Sequence, residues 1–359
     1  MSALPQFAGE PSDVALVLLG TGVVGGALLR LLATPAAARL RLVGVANSTR
    51  QLADAQGVAI ETGTAALAHI EPFRDDTALF EALDASGAAR RVVVDATASR
   101  DTAFKHSEWL AAGYDVVTAN KDAAAGSAKN WSALRGACLR ATTEYGDAAT
   151  VGAGLPVLST LRRLRSCGDT LLAFEGVFSG SLSWLFNHYD GSRPFSALLR
   201  EARAFGYTEP DPRLDLGGAD VARKLVILAR AAGHAIEIED VSVESLVPES
   251  LRNVDVQTFL DRADELDLSI EARHWQAQSK GHVLRHLAAL DEHGRASVRL
   301  AAVPPDHPAA RLAGTDNLFA LTTQRYRSRP LVIQGPGAGA EVTAQALLGD
   351  VLSLGKFSA

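Results

Sequence analysis

The sequence predicts an α/β protein: a doubly wound, largely parallel sheet, followed by a second domain of mixed α/β type. Three observations point there. Short apolar runs of strand length alternate with helical patterns from the start of the chain to about Thr150, the sign of βαβ units. A glycine-rich turn joins the first apolar run directly to the first helical pattern. Beyond Thr150 the alternation gives way to small, flexible residues, longer helices and stretches of period-two patterning.

The elements follow in chain order. Residues 13–19, DVALVLL, form a continuous apolar run, as in a strand buried on both faces of a parallel sheet. GTGVVGG and the helical ALLRLLATP come next. Further strands are expected at 41–46 (RLVGVA), 91–97 (RVVVDAT) and 114–120 (YDVVTAN), with helices at Asp76–Ser86 and Asp101–Ala112 between them. After Thr150, TVGAGLPVLSTLRRL passes into a helix, DTLLAFEGVFSG reads as a strand and SLSWLFNHY as a short helix. VARKLVILARAAG is a well-patterned helix with Gly233 as its C-cap. HVLRHLAAL and ASVRLAAV alternate as antiparallel strands do. The tail, PLVIQGPGAGAEVTAQALLGDVLSLGKF, reads as strand, glycine turn and helix, like the beginning of the chain. The expected division is residues 1–150 with 331–359 returning as one domain, and 151–330 as the other.

Composition narrows the function. The chain has 359 residues, 47% hydrophobic and 21% charged, as in a soluble protein with a large core. A net charge of -6 argues against nucleic-acid partners. The start, MSALPQFAGEPSD, lacks the basic-then-apolar pattern of a secretory signal, and no apolar run is long enough to span a membrane. Two cysteines, Cys138 and Cys167, make neither a disulfide framework nor a zinc site. A cytoplasmic location is expected.

Gly20, Gly22 and Gly25 form G-x-G-x-x-G between a strand and a helix, with Thr21, Val23 and Val24 as the intervening residues. In a Rossmann-type fold the first glycine permits the turn, the second admits a pyrophosphate, and the third lets helix and strand pack closely. The helix N-terminus then faces the phosphates. An acid that would hold a ribose 2′-hydroxyl is expected after the second strand. Asn47, Ser48, Thr49 and Arg50 stand there instead. Hydroxyls and a guanidinium suit a 2′-phosphate, so NADP(H) is preferred over NAD(H), although Arg50 also suits a solvated loop. Thr97, Ala98 and Ser99 end the third strand and should line the cofactor.

The run FGYTEPDPRLDLGGADVARK, Phe205 to Lys224, is the densest in chemistry. It gathers Glu209, Asp211, Asp215 and Asp220, then places Lys224 four residues after Asp220, one helical turn away. The chain has only six lysines, and a lysine's pKa can be tuned where arginine's cannot. On spacing alone the pair also describes a surface ion pair. Asp211, between Pro210 and Pro212, reads as a turn residue.

Taken together these motifs resemble homoserine dehydrogenase over nearly the whole chain. The matching pieces are GTGVVGG, GVANS, TANKDA, TVGAGLPVL, SGSLSWLF, GYTEPDPRLDLGGADVARKLVILAR, HPAARLAGTDN and GPGAGAEVTA. The length fits the simple form, without a fused kinase or a C-terminal regulatory domain. The resemblance implies NAD(P)H-dependent reduction of L-aspartate 4-semialdehyde to L-homoserine, on the branch to threonine, isoleucine and methionine. It implies that Lys224 is the catalytic lysine and that Asp220 orients it. Lys121, in TANKDA, would share the proton transfer or anchor the substrate carboxylate. Glu209 and Asp215 would bind the amino acid's ammonium, and Gly180 and Ser181 its carboxylate, while Gly206 and Tyr207 shape the site. Gly337, with Gly339, would mark the chain's return to the nicotinamide. The family often holds a sodium-like monovalent cation, here on the backbone carbonyls of Val151, Ala153 and Leu155. Ala148 stands where other members supply an acid. The second domain would carry catalysis and dimerisation, giving a homodimer.

Two rival readings have their own signatures. A phosphorylating semialdehyde dehydrogenase needs a cysteine nucleophile with a nearby base, and neither cysteine has a histidine near it in sequence. A non-catalytic NADP-binding regulator would have no use for Lys121, Asp220 and Lys224. The nine histidines show no metal spacing, and His307 is given no chemistry.

Overall fold

A computed structural model describes residues 14–60 and 67–355. The N-terminal segment 1–13, including the first residue of the expected opening strand, lies outside the described residues, as does Lys356. The chain divides into two compact units. The first holds the described residues up to Ala123, Lys129–Thr150 and those from Ala340 onward; the second holds Ala124–Ala128 and Val151–Gly339.

The first unit is built on a six-stranded sheet in the order β3-β2-β1-β4-β5-β6. Its strands are β1 (Val14–Leu19), β2 (Leu40–Ala46), β3 (Gln51–Ala53), β4 (Arg90–Asp95), β5 (Asp115–Thr118) and β6 (Tyr145–Gly146). All neighbours are parallel except β3, which turns back along β2. Every residue of β1 is buried, because helices cover both faces of such a sheet. The Val23–Leu32 helix and the C-terminal Ala340–Leu354 helix share one apolar core with β1, through Leu28, Leu29, Leu32, Leu347 and Val351.

The sequence overestimated several elements here. β4 stops at Asp95 rather than Thr97, because the Asp95 carboxylate accepts from the Thr97 amide at 2.8 Å and hydroxyl at 2.7 Å and turns the chain. β5 stops at Thr118, whose hydroxyl accepts from the Asn120 amide at 2.8 Å. The helix expected over Asp101–Ala112 is two helices, Arg100–Phe104 and His106–Ala111. The break falls at Lys105, beyond which His106 turns inward to the buried Asp95.

The second unit carries a six-stranded sheet in the order β12-β11-β7-β9-β10-β8. The strands are β7 (Leu171–Val177), β8 (Val241–Val243), β9 (Val283–Leu290), β10 (Ala296–Val303), β11 (Asp316–Thr323) and β12 (Leu331–Pro336). Pairing is antiparallel apart from β8 against β10. The segment 331–336, expected to return with the first domain, instead pairs with β11 and closes one edge of this sheet. The return itself is made by the Ala340–Leu354 helix. Residues 124–128 also group with this unit, for a visible reason. The buried Arg230 guanidinium donates to the Ala124 and Gly126 carbonyls at 2.7 and 2.6 Å. The Ala219–Ala232 helix buries one face through Val221, Leu225, Val226 and Leu228, and Gly233 caps it with φ 100°, a conformation glycine adopts without a Cβ penalty.

Candidate active site

In the first unit the glycine turn is made of main chain. Gly20 has φ 95°, and a Cβ there would stand 2.8 Å from the Ala96 carbonyl oxygen. A Cβ on Gly25 would stand 1.9 Å from the Gly20 carbonyl oxygen, so helix and turn touch through the missing side chains. Gly22 differs: a Cβ there meets nothing within 4 Å. Packing does not require that glycine, and the space in front of it is what a bound pyrophosphate needs. No side chain caps the Val23–Leu32 helix, and its first turn carries no acid. Its first N–H groups have no acceptor within the helix, which makes this end fit for a dinucleotide phosphate.

The segment after β2 is pinned by Asn47. Its Oδ1 accepts from the amides of Thr49 and Arg50 at 2.9 and 2.8 Å, and Ser48 and Thr49 stay exposed at the tip. Arg50 is half-buried, with Nε donating to the Ile70 carbonyl at 2.7 Å. The Arg74 guanidinium donates to the Asn47 carbonyl at 2.8 Å, so a second arginine, absent from the sequence reading, lies at this corner.

A polar cluster lies under the ends of β4 and β5, and sequence reasoning missed it. The Asp95 and His106 side chains are fully buried. His106 Nε2 is 2.9 Å from Asp95 Oδ2, and its Nδ1 is 3.2 Å from the Tyr145 hydroxyl. Asn120 Nδ2 donates to Asp95 Oδ2 at 3.1 Å and to the Ser99 carbonyl at 2.9 Å. Asp95 thereby fixes Thr97 and Ser99 on one strand end and Asn120 on the next. Ala98 lies exposed between them, and Lys121 follows Asn120, half-buried. The one sequence signal was an acid ending the otherwise apolar run VVVD.

In the second unit the site is made of side chains that converge on one turn, Phe178–Ser181, between β7 and the Gly180–His188 helix. Lys224 Nζ donates to the Phe178 carbonyl at 2.8 Å and pairs with Asp220 Oδ2 at 2.9 Å. The Lys224 side chain is 13% exposed against 39% for Asp220. The pair is thus anchored to a second element, unlike a surface ion pair of the same spacing. Arg223 Nη2 lies 3.6 Å from the other oxygen of Asp220.

Asp215 joins the same turn. Its Oδ1 accepts from the Ser181 hydroxyl at 2.7 Å and its Oδ2 from the Glu209 amide at 2.9 Å. Burial pushes its carboxyl above the usual value of 3.8, the charges of Glu209 and Asp220 add to the rise, and the two hydrogen bonds oppose it. A cation brought close to it would favour its charged form. Glu209 approaches Asp215 through its backbone, with its side chain on the surface. Ser179 caps the Gly180–His188 helix by accepting from the Leu182 amide at 3.3 Å, and its hydroxyl is 2.9 Å from that of Ser181.

The remaining expected residues have clear local work. Gly206, at φ 74°, ends the Phe195–Ala204 helix, and the Tyr207 amide donates to the Ala202 carbonyl. Tyr207 is 44% exposed, its ring 5.4 Å from that of Trp184. Asp211 is the turn residue expected; the Arg213 guanidinium grips its carboxylate, which holds its pKa below the ordinary value. Gly337 is buried, with Asn317 packed against it. His307 caps a short turn through Nδ1 and meets Glu175 Oε1 at 2.8 Å through Nε2.

At the loop carrying Val151, Ala153 and Leu155, Gly152 and Ala153 take φ of 74° and 50°, a tight left-handed turn. The Leu155 carbonyl already accepts from the Val157 amide at 2.8 Å. Ala148 offers no side-chain oxygen, and its amide donates to Asp350 at 2.9 Å. Among the described residues no group of three or more His, Cys, Asp or Glu could hold a metal. Ala148 brings no side-chain oxygen, so backbone carbonyls are what this loop offers a hard cation. Cys138 is buried and its thiol is pushed up by that burial, the wrong direction for a nucleophile. No helix among the described residues is long and apolar enough to cross a membrane.

Residues 20–144 match the family model for the homoserine dehydrogenase NAD-binding domain, and residues 156–352 match the model for homoserine dehydrogenase. The chain is 39% identical over 366 residues to the chloroplastic bifunctional aspartokinase/homoserine dehydrogenase 2 of Zea mays, covering 99% of this chain and 40% of that protein. The chain therefore spans about 40% of the length of that relative. It is 39% identical over 276 residues to the homoserine dehydrogenase of Paracoccidioides brasiliensis, covering 74% of each. Its structure is similar to that of a Candida auris protein described as of unknown function, with a TM-score of 0.90, 33% identity, and coverage of 96% of this chain and 98% of that one.

Proposed function

The chain belongs to the homoserine dehydrogenase family, and from that premise we propose that it reduces L-aspartate 4-semialdehyde to L-homoserine with NADPH. A bound reduced nicotinamide supplies the hydride. The chain's own residues do the rest. Asp215 and the nearby Glu209 receive the substrate's α-ammonium. The first N–H groups of the Gly180–His188 helix, with Ser181, take its α-carboxylate. Negative charge builds on the aldehyde oxygen as the hydride reaches the carbonyl carbon. The Lys224 ammonium donates its proton there, so one hydride and one proton together give the alcohol. Asp220 steers that ammonium, and the Phe178 carbonyl fixes its height above the turn. Proton transfer of this kind contributes about 10²–10⁴ in rate. Lys121 shares the proton transfer or anchors the substrate carboxylate. No step is routed through a monovalent cation.

The observation that carries this reading is the convergence of Lys224 and Asp215 on one turn. The preference for NADPH rests on Arg50 and on the lack of an acid after β2. We place the enzyme in the cytoplasm, a choice supported by its two free thiols. We also propose a homodimer formed through the second unit. There a groove of about 570 Å³ opens over small residues of its sheet, among them Ala173, Ala289 and Ala320. Sedimentation at micromolar concentration tests this, and a monomer would reject it.

The direct assay is loss of NADPH absorbance when L-aspartate 4-semialdehyde is added. Turnover that survives Cys→Ser at both 138 and 167 is expected. Silence with both NADPH and NADH would overturn the reading.

A further inference from the structure

Asn317 lies on β11, opposite Gly335 of β12, and its side chain is entirely buried. Neither its Oδ1 nor its Nδ2 has a hydrogen-bond partner in the protein. A buried amide left in that condition costs folding free energy, and an apolar side chain of the same shape would cost less. Folding therefore gives no reason for an asparagine here, and a polar ligand would.

The neighbourhood of the amide identifies the ligand. A Cβ on Gly337 would fall 2.1 Å from both Cγ and Nδ2 of Asn317, so that glycine is required by the asparagine packed on it. The next residue, Ala338, and the Thr315 carbonyl lie against Gly180: a Cβ on Gly180 would stand 3.9 Å from Ala338 Cβ and 3.3 Å from that oxygen. Ser183, one turn into the same helix, donates to the Asp316 carbonyl at 2.7 Å. The start of β11 is thus laid along the N-terminus of the Gly180–His188 helix. The strand that begins beside these helix N–H groups thus carries, at its second residue, a buried amide without a protein partner. An amide donor beside helix N–H groups matches a carboxylate.

We propose that Asn317 is a further substrate-binding residue, whose Nδ2 donates to the α-carboxylate of the amino-acid substrate at the N-terminus of the Gly180–His188 helix. This rests on the reading of the chain as a homoserine dehydrogenase. It gives the segment AGTDN a task beside that of the glycine at 337, which packs on the asparagine.

The test uses the whole chain with Asn317→Leu, which keeps size and removes polarity, and Asn317→Asp, which keeps shape and brings a negative charge. Homoserine oxidation with NADP⁺, NADPH affinity and thermal unfolding are measured for each. Loss of a hydrogen bond to a charged group predicts a homoserine KM raised roughly tenfold in Asn317→Leu, and raised further in Asn317→Asp. Both should keep kcat within a few fold, unaltered NADPH affinity and, for Asn317→Leu, an unfolding temperature no lower than wild type. Should Asn317→Leu fail to fold, Asn317→Asp alone still decides through its KM. A wild-type homoserine KM in the folded variants, or equal losses for homoserine and NADPH, would overturn the proposal while leaving the activity assigned. A wild type silent toward homoserine would overturn both.

Discussion

In the first unit, Gly20, Gly22 and Gly25 act by what they lack: two missing side chains let a helix and a turn touch, and the third leaves a space. In the second unit, Lys224, Asp220, Asp215 and Ser181 act by what they carry, and each is held by a partner on another element or another turn. The difference has an energetic side. A glycine turn needs little burial of charge, whereas the second unit holds Asp215 inside with its carboxyl pushed upward. The glycine turn itself carries no charge, although the same unit buries Asp95 and His106 beneath its strand ends. On the proposed reading, the substrate's ammonium would offset that upward push on Asp215.

Mutation can sharpen that contrast. The largest effect is expected from Lys224→Ala, which removes the proposed proton donor. Its kcat should fall at least about a hundredfold with NADPH affinity nearly unchanged. A variant that instead loses NADPH would place the lysine on the wrong side of the comparison.

Next come the two glycines. Gly25→Ala drives a Cβ against a backbone oxygen and should cost about 1–3 kcal/mol of stability as an overpacking change, with weaker NADPH binding besides. Gly22→Ala has open space and should change stability by less than about 0.5 kcal/mol, yet still weaken NADPH. Thermal unfolding and cofactor titration separate the two, and equal destabilisation would refute the division of roles.

Asp215→Asn should raise the homoserine KM roughly tenfold. The pH dependence has a definite sign. A raised carboxyl pKa in the folded state means that its stabilising contribution is complete below the ordinary value of 3.8 and is lost as pH rises through the folded value. At neutral pH the ligand-free Asp215→Asn protein should therefore unfold no earlier than wild type. Binding runs the other way: the wild-type KM should fall as pH rises through that raised pKa, because only the carboxylate attracts an ammonium. The variant should lack that step in its profile.

The smallest effect is expected at Arg50. Arg50→Ala should weaken NADPH several-fold and NADH less, in direct titrations. Its Nε is already committed to the Ile70 carbonyl, and Arg74 lies beside it, so part of the phosphate recognition would survive. Equal losses for the two cofactors would remove the case for a 2′-phosphate.

What could be read from the sequence follows the same line. The glycine turn, the buried β1 and the Asp220–Lys224 pair are local, set by spacings of a few residues, and periodicity exposes them. Gly233 as a helix cap is local too. The contacts that finish the site are not. Lys224 meets a carbonyl 46 residues away, Asp215 a hydroxyl 34 away, and His106 a tyrosine 39 away. Nothing in the chain near Asn317 announces that a glycine from just beyond the next strand will pack on it. β12 was assigned to the wrong unit because strand, turn and helix in sequence do not say which sheet the strand will join. That was decided by pairing with β11.

The most direct test is a crystal structure with NADP⁺ and L-homoserine bound. The account predicts the substrate's hydroxyl oxygen about 2.6–3.2 Å from Lys224 Nζ, with the ammonium of the same molecule against Asp215. Homoserine bound with its hydroxyl remote from Lys224, and that amine still held only by Phe178 and Asp220, would contradict it.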